Sequence, residues 1–363
     1  MDLTVIWFAA IAVLWTGYFV LEGFDFGVGT LLPFMGRRDS VDRRVAINAI
    51  GPVWDANEVW LLTAVGATFA AFPAWYASMF SGFYLPILVV LAALIVRGVA
   101  FEYRGKRDSA PWRLWWDRAI FLGSAAPAFL WGLVFANVVR GVAMDADHTV
   151  TAGLPDLLNP YGLLGGLTTL SLFTLHGAVF LTLKTDGPVR VRARRAALVA
   201  SSVAIPAGTA FLAWTQAAHG APWTLPVVVA AAAALVGGVV AARAGREGVS
   251  FALTAVTVLA VSAAVFGSLF PNVLPSTTDP AFSLTVSNAA SAEYTLTVMT
   301  WVAVVFLPLV MLYQGWSYWV FRRRVTGAQV TGDHLAGGEG PGARATGASA
   351  PVGEAGSGSA GPR

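Results

Sequence analysis

Nine long apolar stretches recur along the chain and are separated by shorter polar segments. Each is long enough to cross about 30 Å of hydrocarbon as an α-helix that rises 1.5 Å per residue. They lie at residues 3–32, 53–72, 76–101, 117–139, 161–183, 196–216, 223–242, 250–270 and 293–321. The pattern predicts an all-α fold, a polytopic transmembrane helical bundle of about nine helices within residues 1–325.

The composition supports a membrane protein. Of 363 residues, 56% are hydrophobic and only 12% are charged, whereas soluble domains carry about 25% charged residues. A soluble protein so poor in charge could not cover its surface. The chain has no cysteine, which excludes disulfides, thiolate ligation of haem and the attachment of c-type haem.

Lys and Arg residues alternate between the connections. All but two of the 23, Arg97 and Arg140, fall in every second polar segment. These basic segments are 33–52, 102–118, 184–195, 243–249 and the C-terminal tail. The positive-inside rule then predicts an external N-terminus and a cytoplasmic C-terminus. The net charge of +3 therefore reflects cytoplasmic loops and gives no support for nucleic-acid binding.

The remaining segments carry three further predictions. Segment 140–160 contains several acidic residues and is expected to be a solvated loop. Segment 271–292 contains three prolines, so it is not expected to form one regular helix. Residues 326–363 are rich in Gly and Ala, which predicts a disordered cytoplasmic tail. No basic region precedes the first apolar stretch, so we expect that stretch to stay in the membrane and not to be removed as a signal peptide.

Candidate chemistry lies in the charged residues inside the spans, since each costs about 2.5–3.5 kcal/mol on insertion scales and usually has a partner or a function. Glu22 and Asp25 share the first span, and Asp55 and Glu58 share the second. Each pair has a spacing of three, which makes its members neighbours on a helix. Arg97 lies near the end of the third span. In the predicted orientation all five share one depth near the cytoplasm, where they can hold, pass or exchange protons or cations.

Two interpretations of this cluster remain open on the residues alone. In the first, Asp25 and Asp55, which are flanked by glycine or by aromatic residues such as Trp54, move protons or cations. In the second, Arg97 neutralises one or two carboxylates and pins three helices together, while Glu22 lies in the headgroup region without a function.

Other chemistry has little support. His176 is the only histidine within a span, and without a second ligand it is expected to pack helices through hydrogen bonds and not to bind haem. The chain contains no P-loop, no G-x-S-x-G and no H-E-x-x-H motif. We expect no catalytic residue and no metal ligand in this chain.

Three blocks of sequence resemble subunit II of the cytochrome bd-type quinol oxidase. The first block is residues 17–29, with EGFDFGVG at 22–29. The second is residues 48–61, NAIGPVWDANEVWL, continued by FSGFY at 80–84. The third is residues 270–276, FPNVLPS, followed by SLT at 283–285, NAAS at 288–291, Thr295, Leu296, Pro308 and Tyr313. Their order and spacing fit the family over roughly residues 3–325. The connection at 217–222 is shorter than in some members.

The resemblance implies a subunit of an oxidase that oxidises quinol, reduces dioxygen to water and takes protons from the cytoplasm. Haem b and haem d are then expected in a partner, subunit I, and this chain is expected to bind no haem and to be needed for assembly. The family's proposed proton route matches Asp25 and Asp55, with Trp54, Asn57 and Glu58 beside them.

The resemblance also allows a structural quinone of unknown contacts and small accessory subunits, in contact with lipid of a bacterial inner membrane. A second function class is a stand-alone secondary transporter, in which the same carboxylates bind a coupling proton or cation.

Overall fold

The apolar stretches form helices in a computed structural model that describes residues 2–36 and 40–336. Within those ranges the helices are α1 (Leu3–Leu31), α2 (Val41–Ile50), α3 (Trp54–Ala71), α4 (Pro73–Gly82), α5 (Tyr84–Tyr103), α6 (Ala110–Arg140), α7 (Leu154–Leu157), α8 (Pro160–Lys184), α9 (Gly187–Ala218), α10 (Leu225–Arg243), α11 (Glu247–Leu269), α12 (Glu293–Val320) and α13 (Gly327–Ala336).

Eight helical segments in these ranges are long and apolar enough to cross a membrane: α1, α5, α6 and α8 to α12. The predicted span at 53–72 forms α3, which has only 18 residues and begins with three polar side chains, Asp55, Asn57 and Glu58. These lower its hydropathy below that of the other spans. The all-α transmembrane bundle is confirmed, while the direction in which it crosses the membrane remains a prediction.

The third predicted span, 76–101, is wrong as a single helix. The structure divides it at Phe83 into α4 and α5. Pro86 favours the break, because a proline within a continuous helix clashes with the carbonyl of the residue four positions earlier, here Gly82. Pro73 likewise begins α4 at the first helical position, where a missing N–H costs little. The connection between α3 and α5 is therefore a short helix.

The two longest predicted external segments pack on each other. Strands β1 (Asn272–Leu274) and β2 (Leu284–Thr285) pair antiparallel, so segment 271–292 is not one helix, as predicted. Segment 140–160 is largely exposed, as predicted, but its first part is anchored: Val142 is buried and its N–H donates to Pro275 O at 3.1 Å. His148 Nδ1 lies 2.8 Å from Phe282 O. Segment 140–160 is therefore held against segment 271–292 by hydrogen bonds, which hydropathy alone does not reveal.

Helix α1 lies at the centre of the bundle and packs against α3, α6, α8 and α11. It approaches the backbone of α8 closely, and a Cβ built on Gly27 would lie 1.9 Å from Phe173 O. Only glycine fits this contact. By contrast, α12 lies at the edge, and its buried residues are Leu296 and Gln314.

The C-terminal part of the described chain is docked at the basic end of the bundle. Val325 N–H donates to Lys184 O at 2.8 Å, and Arg44 Nη2 donates to Val330 O at 2.8 Å. Helix α13 therefore occupies the first residues of the predicted tail 326–363. The rest of that prediction, 337–363, lies outside the described residues.

Candidate functional site

Two carboxyl groups of α1 lie inside the bundle. Glu22 and Asp25 are both fully buried. Their spacing of three residues places them on one side of α1, toward the region where α3 and α5 approach. Burial of this kind is costly for a carboxylate unless a cation or hydrogen-bond donors compensate it.

Arg97 of α5 supplies that compensation for Glu22. The two form an ion pair through Arg97 Nη2 and Glu22 Oε1, with both side chains fully buried. The guanidinium carbon also lies 4.8 Å from the centre of the Phe26 ring and 5.5 Å from that of Phe101, so aromatic faces contribute cation–π stabilisation. Helix α6 comes close behind it at Gly123, where a Cβ would lie 2.7 Å from Arg97 Cβ.

Asn57 of α3 binds the second carboxyl group. Its Nδ2 donates to Asp25 Oδ2 at 2.7 Å and lies 3.4 Å from Leu21 O. The side chain is fully buried. A backbone carbonyl such as Leu21 O can only accept hydrogen bonds, which assigns the amide nitrogen to this side of Asn57 and the oxygen to the other.

The oxygen of Asn57 faces α12, a helix whose contact with the cluster was not predicted from the sequence. Gln314 Nε2 donates to Asn57 Oδ1 at 3.2 Å, and Tyr318 OH donates to the same oxygen at 2.8 Å. The sequence contained a clue to this contact, because Gln314 and Tyr318 are polar residues four apart in a largely apolar helix and so share one face. Hydropathy could not show that this face meets α3.

The remaining predicted residues lie toward the surface of the chain. Glu58 is partly buried and close enough to interact electrostatically with Arg97. Asp55 is exposed, and Trp54 is partly buried with its ring 5.0 Å from that of Phe101. The structure therefore brings Glu22, Asn57 and their neighbours together inside the bundle but leaves Asp55 outside it.

The buried part of the cluster has an excess of carboxyl groups. It contains Glu22 and Asp25 with Arg97 as their cation, and Asp25 Oδ1 accepts no hydrogen bond from the residues that the structure describes. One guanidinium balances one carboxylate. The second carboxyl group is thus left without a cation of its own. Among the described residues its Oδ1, like Glu22 Oε2, has no hydrogen-bond partner.

His176 is not placed to bind a haem iron. His176 Nδ1 lies 2.8 Å from Thr254 Oγ1, and Nε2 lies 3.2 Å from Val20 O. Both ring nitrogens are thus used to join α8 to α11 and α1. Within residues 2–36 and 40–336 no group of three His, Asp or Glu side chains is arranged to hold a metal ion.

One interior cavity is too small for a quinone. The apolar cavity between α1, α6, α8 and α11, lined by residues such as Phe19, Trp131 and Phe173, measures about 40 Å³. That is well below the ~150 Å³ cavity that holds benzene.

The chain resembles known oxidase subunits over most of its length. The sequence model of the family described as cytochrome bd terminal oxidase subunit II matches residues 3–321. Cytochrome bd ubiquinol oxidase subunit 2 of Bacillus subtilis (strain 168) is 44% identical over 326 residues, which cover 88% of this chain and 96% of that protein. Cytochrome bd-I ubiquinol oxidase subunit 2 of Escherichia coli (strain K12) is 37% identical over 361 residues, with coverages of 88% and 94%.

The fold has a solved counterpart. A structure of bd oxidase from Geobacillus thermodenitrificans matches with a TM-score of 0.72 at 18% sequence identity, over 88% of this chain and 99% of that chain. Identity this low supports only a common fold. The family assignment rests instead on the sequence matches, and with the apolar helices it indicates a multi-pass protein of the bacterial inner membrane. The chain belongs to the cytochrome bd terminal oxidase subunit II family and is a subunit of that quinol-oxidising respiratory complex.

Proposed function

We propose that this chain is the haem-free partner subunit of a cytochrome bd-type oxidase that oxidises quinol and reduces dioxygen to water. Its buried acidic cluster contributes to proton uptake from the cytoplasm. The partner is a subunit I that carries haem b and haem d, and the complex requires this chain for assembly. The chain alone is inactive.

The imbalance of buried charge carries the proposal on protons. Arg97 is paired with Glu22, so a negative charge on Asp25 has no cation of its own. An unpaired buried charge is expensive, and a buried carboxyl group avoids it by taking up a proton. Asn57 donates to Asp25 Oδ2 at 2.7 Å, and this hydrogen bond lowers the free-energy cost of ionising Asp25. Such a carboxyl group can alternate between its two states.

The exposure of the carboxyl groups suggests a direction for the protons. Asp55 is exposed, Glu58 is partly buried, and Asp25 is fully buried, so a proton taken from water at Asp55 can move inward along α3. The position of Arg104 shows which end of the bundle lies near the cluster, because Arg104 follows Arg97 by seven residues, about 10 Å along a helix. It lies at the basic end of the bundle, which the positive-inside rule assigns to the cytoplasm.

The comparisons favour the oxidase subunit over the stand-alone transporter. The hydrogen bonds at both nitrogens of His176 support a chain without haem. A carboxylate cluster that only packs helices would remain compatible with the family, so the proton role needs its own test.

The test is Asp25→Asn in the complete complex, purified with subunit I. We expect the reduced-minus-oxidised haem spectrum to be unchanged. Quinol-driven oxygen consumption should fall roughly tenfold or more, since proton transfer by a positioned group typically contributes a hundredfold or more. The ratio of turnover in H₂O to that in D₂O should rise.

Asp147→Asn is the matched control, because Asp147 is exposed in segment 140–160 and its variant should behave as the wild type. Wild-type turnover in an assembled Asp25→Asn complex would refute the proton role. Loss of haem from that complex would indicate a structural role instead. Oxygen-independent transport by this chain alone in proteoliposomes would support the transporter.

A further inference from the structure

Helix α12 is attached to the bundle by polar contacts at separate levels. Near its start, Trp7 Nε1 donates to Leu296 O at 3.2 Å and to Thr300 Oγ1 at 3.1 Å. Beyond its end, Arg324 Nη2 donates to Glu247 Oε2 at 3.0 Å. These contacts fix the height of α12 against its neighbours. The contacts of Gln314 and Tyr318 with Asn57 lie between them.

The contacts on both sides of Asn57 determine which way its amide points. Both Gln314 Nε2 and Tyr318 OH donate to Asn57 Oδ1, whereas Nδ2 faces Asp25 Oδ2 and Leu21 O. Rotating the amide by 180° would place its oxygen against the Leu21 carbonyl, which can only accept. It would also lose the two hydrogen bonds that Oδ1 accepts, unless the Tyr318 hydroxyl and the Gln314 amide turned as well. A buried amide pays for every lost partner, so this arrangement holds a single orientation.

The orientation of Asn57 decides how Asp25 can act. With the NH₂ on Oδ2, that oxygen is an acceptor in either charge state of Asp25, and the proton is carried at Oδ1. In the opposite orientation the Asn57 oxygen would accept a hydrogen bond from protonated Asp25 and repel the ionised form. An amide holds its own N–H protons firmly, so Asn57 sets the geometry and does not relay the proton.

We infer that Tyr318 and Gln314 of α12 are positioning residues for the acidic cluster. They hold the Asn57 amide with its NH₂ on Asp25 Oδ2, so that Asp25 exchanges its proton at Oδ1. This inference rests on the proposed proton role of Asp25. The groups that face Asp25 are Glu22 on its own helix, Arg97 from α5, Glu58 and Asn57 from α3, and Tyr318 from α12.

The experiment uses the complete complex with Tyr318→Phe combined with Gln314→Met, which removes both donors but keeps the volume. Turnover should fall roughly fivefold to tenfold, as expected when one or two uncharged hydrogen bonds are lost. The H₂O/D₂O ratio of turnover should rise, and the infrared C=O stretching band of a protonated carboxyl group should shift. Tyr294→Phe is the control, since Tyr294 is exposed on α12.

The same pair of substitutions is then made in the Asp25→Asn complex. Residues that act through Asp25 should cause no further loss there, whereas general damage to α12 would lower turnover again and overturn the inference. If the double variant loses haem, Tyr318→Phe alone repeats the comparison with the smallest change. This inference alone would be overturned if the α12 variants had wild-type turnover and isotope ratio while the Asp25→Asn complex turned over slowly. Wild-type turnover in Asp25→Asn would overturn the proton role and this inference with it.

Discussion

The buried ion pair between Glu22 and Arg97 makes a quantitative prediction about stability. Arg97→Met keeps an unbranched side chain of similar reach but leaves Glu22 without its cation. Both side chains are fully buried, so solvent cannot compensate. Breaking a buried pair from one side typically costs about 3–5 kcal/mol, whereas replacing both partners by uncharged groups is often close to neutral.

This loss of stability corresponds to a fall in melting temperature. At roughly 2 °C per kcal/mol for a large chain, Arg97→Met should lower the apparent melting temperature of the complex by roughly 5–10 °C. Arg97→Met combined with Glu22→Gln should recover at least half of that loss. The surviving complex is measured by size-exclusion chromatography after heating. All variants share one heating rate, since irreversible unfolding depends on it.

Arg195→Met is the control, because Arg195 is exposed on α9 and its loss should change the melting temperature little. The reasoning fails if Arg97→Met melts as the wild type does. It also fails if adding Glu22→Gln lowers the melting temperature further, because the two side chains would then not be coupled.

Two other predictions concern packing and pH. Gly27→Ala would place a Cβ 1.9 Å from Phe173 O, so the yield of assembled complex should fall severely. The control is Gly66→Ala, where a Cβ meets nothing within 4 Å and the yield should not change. Equal yields of the two variants would contradict the packing argument. Burial, and then the charge of Arg140, lower the pKa of His219. The unfolded chain therefore binds a proton at this position more readily than the folded one, so stability should be lost as the pH falls below about 6.5. His219→Gln should reduce that loss in melting experiments across pH, and an unchanged pH dependence would exclude His219 as a contributor.

The sequence predicted the spans well because the cost of exposing backbone and charge to lipid leaves few alternatives. It failed where local backbone geometry decides. Hydropathy runs smoothly through Phe83, although Pro86 disfavours a continuous helix there. Pro127, Pro206 and Pro308 lie inside unbroken helices, so a proline alone does not show where a helix ends. It also missed the buried start of segment 140–160, because the partners of Val142 lie more than 130 residues away in segment 271–292.

For the candidate site, the sequence correctly predicted which helices carry charged residues at a common depth. The rise of 1.5 Å per residue and the positive-inside rule are enough to place Glu22, Asp25 and Arg97 near the same level. The tail after α13 and the direction of insertion stay predictions from composition alone.

What the sequence determined, then, is the membrane bundle and a group of carboxyl groups beside one arginine at a common depth, since both follow from composition and spacing along the chain. What only the tertiary structure decided is which of these groups meet. Successive residues of a helix are about 100° apart, so Asp55 and Asn57 point in nearly opposite directions from α3. The rotation of α3 against α1 buries Asn57 on Asp25, leaves Asp55 exposed, and lets α12 reach the cluster with Gln314 and Tyr318.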